Sequence, residues 1–364
     1  MALLYLAEET DSIKGVLHPD EMLISGADIS FAGAAIGCDQ SHDVSWFSSS
    51  ILALSHIVSR IVLSDRLVVV SERDGLSEPN SLFLWTLLEQ YCDVVLIEST
   101  HPGISDILAK SLTEPEKVFG ETLFNDVRNI VTEYSPWSSG AMSSALLAEY
   151  ATSISLNLSY APNPCLSKPI GAHALSGTAS PVEIARYLTD LRNEVAQEEH
   201  LHEEWNIYDL NVPAIFASVI KESNNPEDII RVAAEMNSEA KEFRSWCRDL
   251  DLRKKRSVKT YRDQMNSAKD TLRKMGTALK SDQTERIQMS YGIFGIALPS
   301  PTLQKTINHL NVDIAFLRPR KFLLNLLRSS IQLQKLAPEL ARVFNVDVEF
   351  AKNAADRLVK LGSK

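Results

Sequence analysis

The chain lacks the motifs that usually announce a chemistry. Its 14 glycines in 364 residues never assemble into G-x-x-x-x-G-K-[ST], G-x-G-x-x-G or G-x-S-x-G. P-loop, dinucleotide-binding and nucleophile-elbow readings therefore have no support. Gly33 to Gly37 comes nearest and is too short. Cysteine is equally sparse. Cys38, Cys92, Cys165 and Cys247 stand far apart, which excludes a zinc knuckle or disulfide framework and fits reduced intracellular thiols. The long charge-free stretch Ile287 to Gln304 is broken by Gly292, Gly295, Pro299 and Pro301, unlike a membrane-spanning helix. Met1 to Asp11 has no basic lead, so a signal peptide is not expected. The expectation is a soluble, cytoplasmic protein with no membrane partner.

What is present is an ordinary globular composition, 45% hydrophobic and 23% charged, over a length that suits two domains. The formal charge of −10 disfavours a surface that coats nucleic acid as a whole. Charge is nevertheless unevenly spread. Residues 235–286 hold 14 Lys or Arg against 9 Asp or Glu, a basic segment in an acidic chain.

The first part of the chain reads as α/β. Phe47, Ile51, Leu54, Val58 and Ile61 recur at helical spacing before the β-branched run Leu67 to Val70. Pro79 and Asn80 open a helix through Leu82, Leu84, Leu87 and Leu88, which hands over near Cys92 to a strand at Val94 to Ile97. Leu3 to Leu6 suggests a third strand. Strands joined by helices predict a small, mostly parallel sheet. Helical spacing returns from Asp126 to Tyr160, and three prolines between Tyr160 and Pro169 stop it. A boundary near residue 170 follows, giving an α/β domain over 1–170 and a mainly helical domain over 171–364.

In the second part, Ser180, Pro181 and Glu183 form a helix start. Another begins at Asn225-Pro226-Glu227-Asp228 and meets no glycine or proline until Gly276. Met236, Ala240, Phe243, Cys247 and Leu250 make one apolar seam, and Val258, Tyr261, Met265, Ala268, Leu272, Met275 and Leu279 make a second, displaced one. Residues 226–282 are therefore expected to form a long amphipathic helix, with a coiled-coil stutter, or a helical hairpin that turns near Leu252 to Arg256. Beyond it, strands over Gln288 to Leu298 and Val312 to Leu317 precede helices over Phe322 to Leu336, Glu339 to Phe344 and Val348 to Leu361.

Three groups of residues are candidate sites. Ile184, Leu188, Leu191 and Val195 form a stripe that Glu198 and His202 continue, and Glu199 and His202 are three apart. Glu198, Glu199 and His202 thus share a helix face and suit a divalent metal, though a solvated acidic face gives the same pattern. The second group is Glu72, Asp74, Glu98 and His101, with Arg73 and Thr100 beside them, at the strand ends where open α/β folds bind ligands. Clustered carboxylates there suit metal-assisted hydrolysis, and the arrangement loosely resembles acidic-site nuclease domains. Loops at strand ends are also polar simply because they are wet. The third is the basic run Arg253, Lys254, Lys255 and Arg256, followed by Lys259 and Arg262, which suits phosphate or acidic protein contacts, or a solvated helix face. His18, His42, His56, His173 and His309 are isolated and read as packed or surface histidines.

Two functions are compatible with these residues. The first is an intracellular binding or assembly protein, for a protein partner, a homo-oligomer or nucleic acid, acting through the basic amphipathic helices. The second is a metal-dependent hydrolase of the nuclease or phosphodiesterase kind.

Overall fold

The computed structural model describes residues 3–5, 21–37, 43–71, 76, 79–100, 102–134, 139–156, 158, 214–256 and 336–362, with isolated positions between 259 and 326. The described protein is mostly helical, with a small parallel sheet near its N-terminus. The strands are β1 (Leu3–Tyr5), β2 (Met22–Ser25), β3 (Leu67–Ser71) and β4 (Val94–Glu98), in the order β1-β4-β3-β2 and all parallel. Strand β2 and the helix that follows it directly, α1 (Gly26–Ile36), were not expected from the sequence. Helices α2 (Val44–Leu63) and α3 (Pro79–Tyr91) provide the crossovers that parallel neighbours require.

Strands β2, β3 and β4 are buried on both faces, which is why they are continuous apolar runs rather than alternating ones. Met22, Ile24, Leu67, Val69, Val94 and Leu96 face one core. Leu23, Val68, Val70, Val95 and Ile97 face another, covered by Ile104 and Leu108 of α4 (Pro102–Thr113) and by Leu156 and Leu158. A third cluster joins α5 (Pro115–Phe119), α6 (Glu121–Tyr134) and α7 (Ser139–Ser155) through Phe119, Phe124, Val127, Leu147 and Tyr150.

The first core extends well past the sheet. It takes in α8 (Ala214–Glu222), α9 (Pro226–Glu239), α10 (Lys241–Arg256), α11 (Leu336–Phe344) and α12 (Val348–Gly362). Helix α2 lies at its centre, with neighbours from α1, α8, α9 and α12. It is 20 residues long and, among the described residues, the one helix long and apolar enough to cross a membrane. Here 78% of its most apolar stretch is buried by other helices. Phe47 of α2 meets Phe344 edge-on at 5.4 Å and Phe350 at 5.3 Å, and the Ser48 hydroxyl donates to the Ala354 carbonyl at 3.2 Å.

Local chemistry explains the helix starts. The Ser25 hydroxyl accepts from Asp28 N at 3.1 Å, the Asp43 carboxylate from Ser45 N at 3.2 Å, and the Asn225 side-chain oxygen Oδ1 from Asp228 N at 2.9 Å. The break in the long seam does not fall where the displaced apolar positions suggested. Residues 252–256 are helical, as part of α10. The helix instead changes course at Ala240, whose N–H is shared between the carbonyls of Met236 and Asn237. The expected boundary near residue 170, the Ser180 helix start and the strands at Gln288 to Leu298 and Val312 to Leu317 lie outside the described residues.

Helices α1 and α3 approach at Gly33, where an added methyl group would stand 2.1 Å from the Asn80 carbonyl oxygen and 2.7 Å from its carbon. Both are backbone atoms and cannot turn aside. At Gly37 the nearest atom is a side-chain oxygen at 3.4 Å. Gly33→Ala is expected to cost about 1–3 kcal/mol, by forcing the helices apart, and Gly37→Ala to stay within about 0.5 kcal/mol of the parent. Urea unfolding of both variants measures the difference.

Candidate functional site

Several of the described helices contain a single Asp, Glu, Lys or Arg, and in three of them that residue is drawn into one cluster. Asp28 is alone in α1, Arg60 in α2 and Glu149 in α7. Folding brings the three together beside the end of β2. Arg60, fully buried, donates from Nη1 to Asp28 Oδ2 at 3.4 Å and from Nη2 to Glu149 Oε1. The side chains of Asp28 and Glu149 are 12% and 2% exposed, and His56, one turn before Arg60, is also buried. Isolated charges at such depth cost several kcal/mol each, so the groups must compensate one another.

The two carboxyls differ in their response. Burial would raise Asp28, but the Arg60 guanidinium and His56, with hydrogen bonds from Glu149 and Ser25, hold it below the usual carboxylate range. Burial pushes Glu149 well above that range, and the adjacent Asp28 charge pushes it further, against the pull of Arg60. The cluster is largely buried, and the positive charge its carboxylates demand is supplied by a guanidinium.

A second polar cluster closes the C-terminus of α2. Asn237 donates to the carbonyls of Ile61 and Ser64 at 2.5 and 2.7 Å. Arg244, almost fully buried, donates to the Val62 carbonyl at 3.1 Å, to the Asn237 carbonyl at 2.6 Å and to Asp65 at 2.8 Å. Arg248 also binds Asp65. Partial burial would raise the Asp65 carboxyl, yet the two guanidiniums hold it below its ordinary value. Cations at a helix C-terminus satisfy its open carbonyls and its dipole. These contacts, with Phe243 stacked on Phe322 at 5.4 Å, anchor the start of α10.

The carboxyl edge of the sheet is the third polar region. Ser71 and Glu98 end β3 and β4 in register, and Ser99 N donates to the Ser71 carbonyl at 3.2 Å. The chain leaves the two strands in opposite directions. Helix α3 packs through Leu84 and Leu88 on one face of the sheet, whereas α4 packs through Ile104 on the other. Such divergence opens a crevice between neighbouring strand ends in α/β sheets.

Of the residues singled out from sequence, Glu98 ends β4 half-buried, and Glu72, Asp74 and His101 lie outside the described residues although they follow these two strands in the chain. Glu198, Glu199 and His202 lie outside them too. Arg253, Lys254, Lys255 and Arg256 form the last turn of α10, Lys259 is helical and exposed, and Arg262 is outside the described residues. Among the described residues no group of three or more His, Cys, Asp or Glu is placed to hold a metal ion.

The cluster of Asp28, His56, Arg60 and Glu149 was missed by reading for motifs. A signal was there: a single charge in an otherwise uncharged helix rarely faces the core unless it is paired. Compared with protein-family models, curated proteins and solved structures, the chain shows no significant match.

Removing the central cation strands two buried carboxyls. Arg60→Ala is expected to cost about 3–5 kcal/mol, more than the loss of any one exposed ion pair such as Lys117–Glu114, which contributes at most about 1 kcal/mol. Denaturant unfolding of R60A and K117A makes the comparison.

Proposed function

We propose that this chain is a binding or assembly protein that engages an anionic partner, protein or nucleic acid, through the basic end of α10. One observation carries the reading. The same helix has an anchored half and a basic half: Phe243, Arg244, Trp246 and Cys247 are buried, and Arg253 to Arg256 follow on the same rod. At 1.5 Å per residue, Lys254 lies about 15 Å along the axis from Arg244. The helix holds seven Lys or Arg against three Asp or Glu. A basic run on a fixed helix presents its charges with less ordering cost than one on a free tail.

Reversing the charge of Arg253, Lys254, Lys255 and Arg256 together tests it, with labelled duplex oligonucleotides titrated at rising salt and light scattering for self-association. The expected result is that the parent binds or self-associates and the reversed variant does not. For DNA, the slope of log K against log salt should become shallower by about 3 to 4. A parent that does neither, or a variant that behaves like it, overturns the reading.

A second reading rests on a different observation, the divergence of α3 and α4 at the ends of β3 and β4. A metal-dependent hydrolase would place its carboxylates there, with Glu98 as the described member and Glu72, Asp74 and His101 following the same strands in sequence. Mn²⁺ or Zn²⁺ at one hundred times its dissociation constant should then stabilise the protein by about 2.7 kcal/mol, and Glu98→Gln should diminish that gain. Thermal unfolding with and without metal measures both, and no stabilisation of the parent rules this reading out.

A further inference from the structure

We infer that the core cluster of Asp28, Arg60 and Glu149 is a proton-dependent latch: Glu149 is the neutral acid at ordinary pH, and its ionisation weakens the hold of α7 on α1 and α2. Charge and geometry carry the argument. One guanidinium lies between two carboxyls, all three buried. One guanidinium balances one carboxylate, so burying two beside it favours a proton on the other. Asp28 has the better claim to the negative charge. It sits in the first turn of α1, where it faces the positive end of the helix dipole, and its backbone N–H is bound by Ser25. The proton therefore belongs to Glu149, whose Oε1 accepts from Arg60 Nη2. Arg60 and Asp28 then form one ion pair beside a neutral acid.

Few other groups interfere. His56, on α2, lies near enough to favour the Asp28 charge and is, among the described residues, the one rival for the proton. Strand β2, which packs on α7, carries no charged residue. On α4, α5 and α6, the charged residues whose side chains are described, Asp106, Lys110, Glu116, Lys117, Glu121, Asp126 and Arg128, are exposed.

The sign of the pH dependence follows. A carboxyl held neutral in the folded state binds its proton more tightly there than in the unfolded chain. It contributes stability that is complete below the unfolded value, about 4.3, and is lost as pH rises through the folded one. Between those two values the unfolding equilibrium constant should grow up to tenfold per pH unit, the slope of one proton, and above the folded one it should level off.

Unfolding in urea from pH 5 to about 9, a range that covers known buried glutamates, tests this on the full chain with Glu149→Gln and His56→Gln. The amide that Glu149→Gln introduces keeps the shape of the neutral acid and an oxygen that accepts from Arg60. The parent and H56Q are expected to lose stability toward alkaline pH, and E149Q to lose that slope. Equal slopes in parent and E149Q, or a slope removed only by H56Q, overturn the inference. Infrared spectroscopy of the parent gives a second reading that needs no variant to fold. A protonated-carboxyl C=O band at pH 7, lost on unfolding, is expected, and its absence from the folded parent overturns the inference.

Discussion

A single buried cation constrains much of this structure. Arg60 lies on the one described helix long and apolar enough to cross a membrane and has no exposed surface, so its charge must be met inside the protein. The partners come from α1, which follows the edge strand directly, and from α7, separated from Arg60 by 89 residues. Helix α7 joins the α4–α6 layer through Leu147 and Tyr150, and Leu156 just beyond it covers the far face of the sheet. The ion cluster thus ties together elements belonging to three hydrophobic clusters. Apolar packing alone is permissive about how layers slide; a charge triad with fixed donors and acceptors accepts few arrangements.

The same device recurs at helix ends. The C-terminus of α2 is closed by Asn237 and Arg244 from α9 and α10, and that of α8 by Arg342 of α11, which donates to the carbonyls of Ser223 at 2.6 Å and Ile220 at 3.0 Å. In both cases a helix from far along the chain supplies donors that the helix cannot provide for itself. These contacts explain why the C-terminal helices share one core with α2 and the sheet. They also hold the start of α10 in place, which is what gives its basic end a defined position.

Legibility in the sequence followed the strength of periodic signals. Helix α2, helix α3, β3 and β4 were readable because apolar spacing, Pro79 and β-branched runs all agreed. Strand β2 and α1 were not. Met22 to Ser25 is short, and Gly26, Gly33 and several alanines conceal a helix that needs small residues to approach Ser71 and Asn80 closely. The change of course at Ala240 was also hidden, since the apolar seam continues through it. Its cause lies in Asn237 and Arg244 turning to cap α2, which no local pattern reveals. As for sites, Glu98 was legible as the polar end of a buried strand, whereas the Arg60 cluster was not, because its members are scattered over 121 residues.

By itself the sequence determined the elements with strong local preference: buried strands as unbroken apolar runs, helix starts at Asp43 and Asn225, and a helix carrying the run from Arg253 to Arg256. It also determined that Asp28, Arg60 and Glu149 would each be the lone charge in its helix. Only the tertiary structure decided that these three meet, that α3 and α4 leave the sheet on opposite faces, and that α8 to α12 complete the core around α2. The physical reason is one of range. Caps, turns and apolar periods act over a few residues, whereas the compensation of a buried charge depends on whichever distant side chain packing brings within reach.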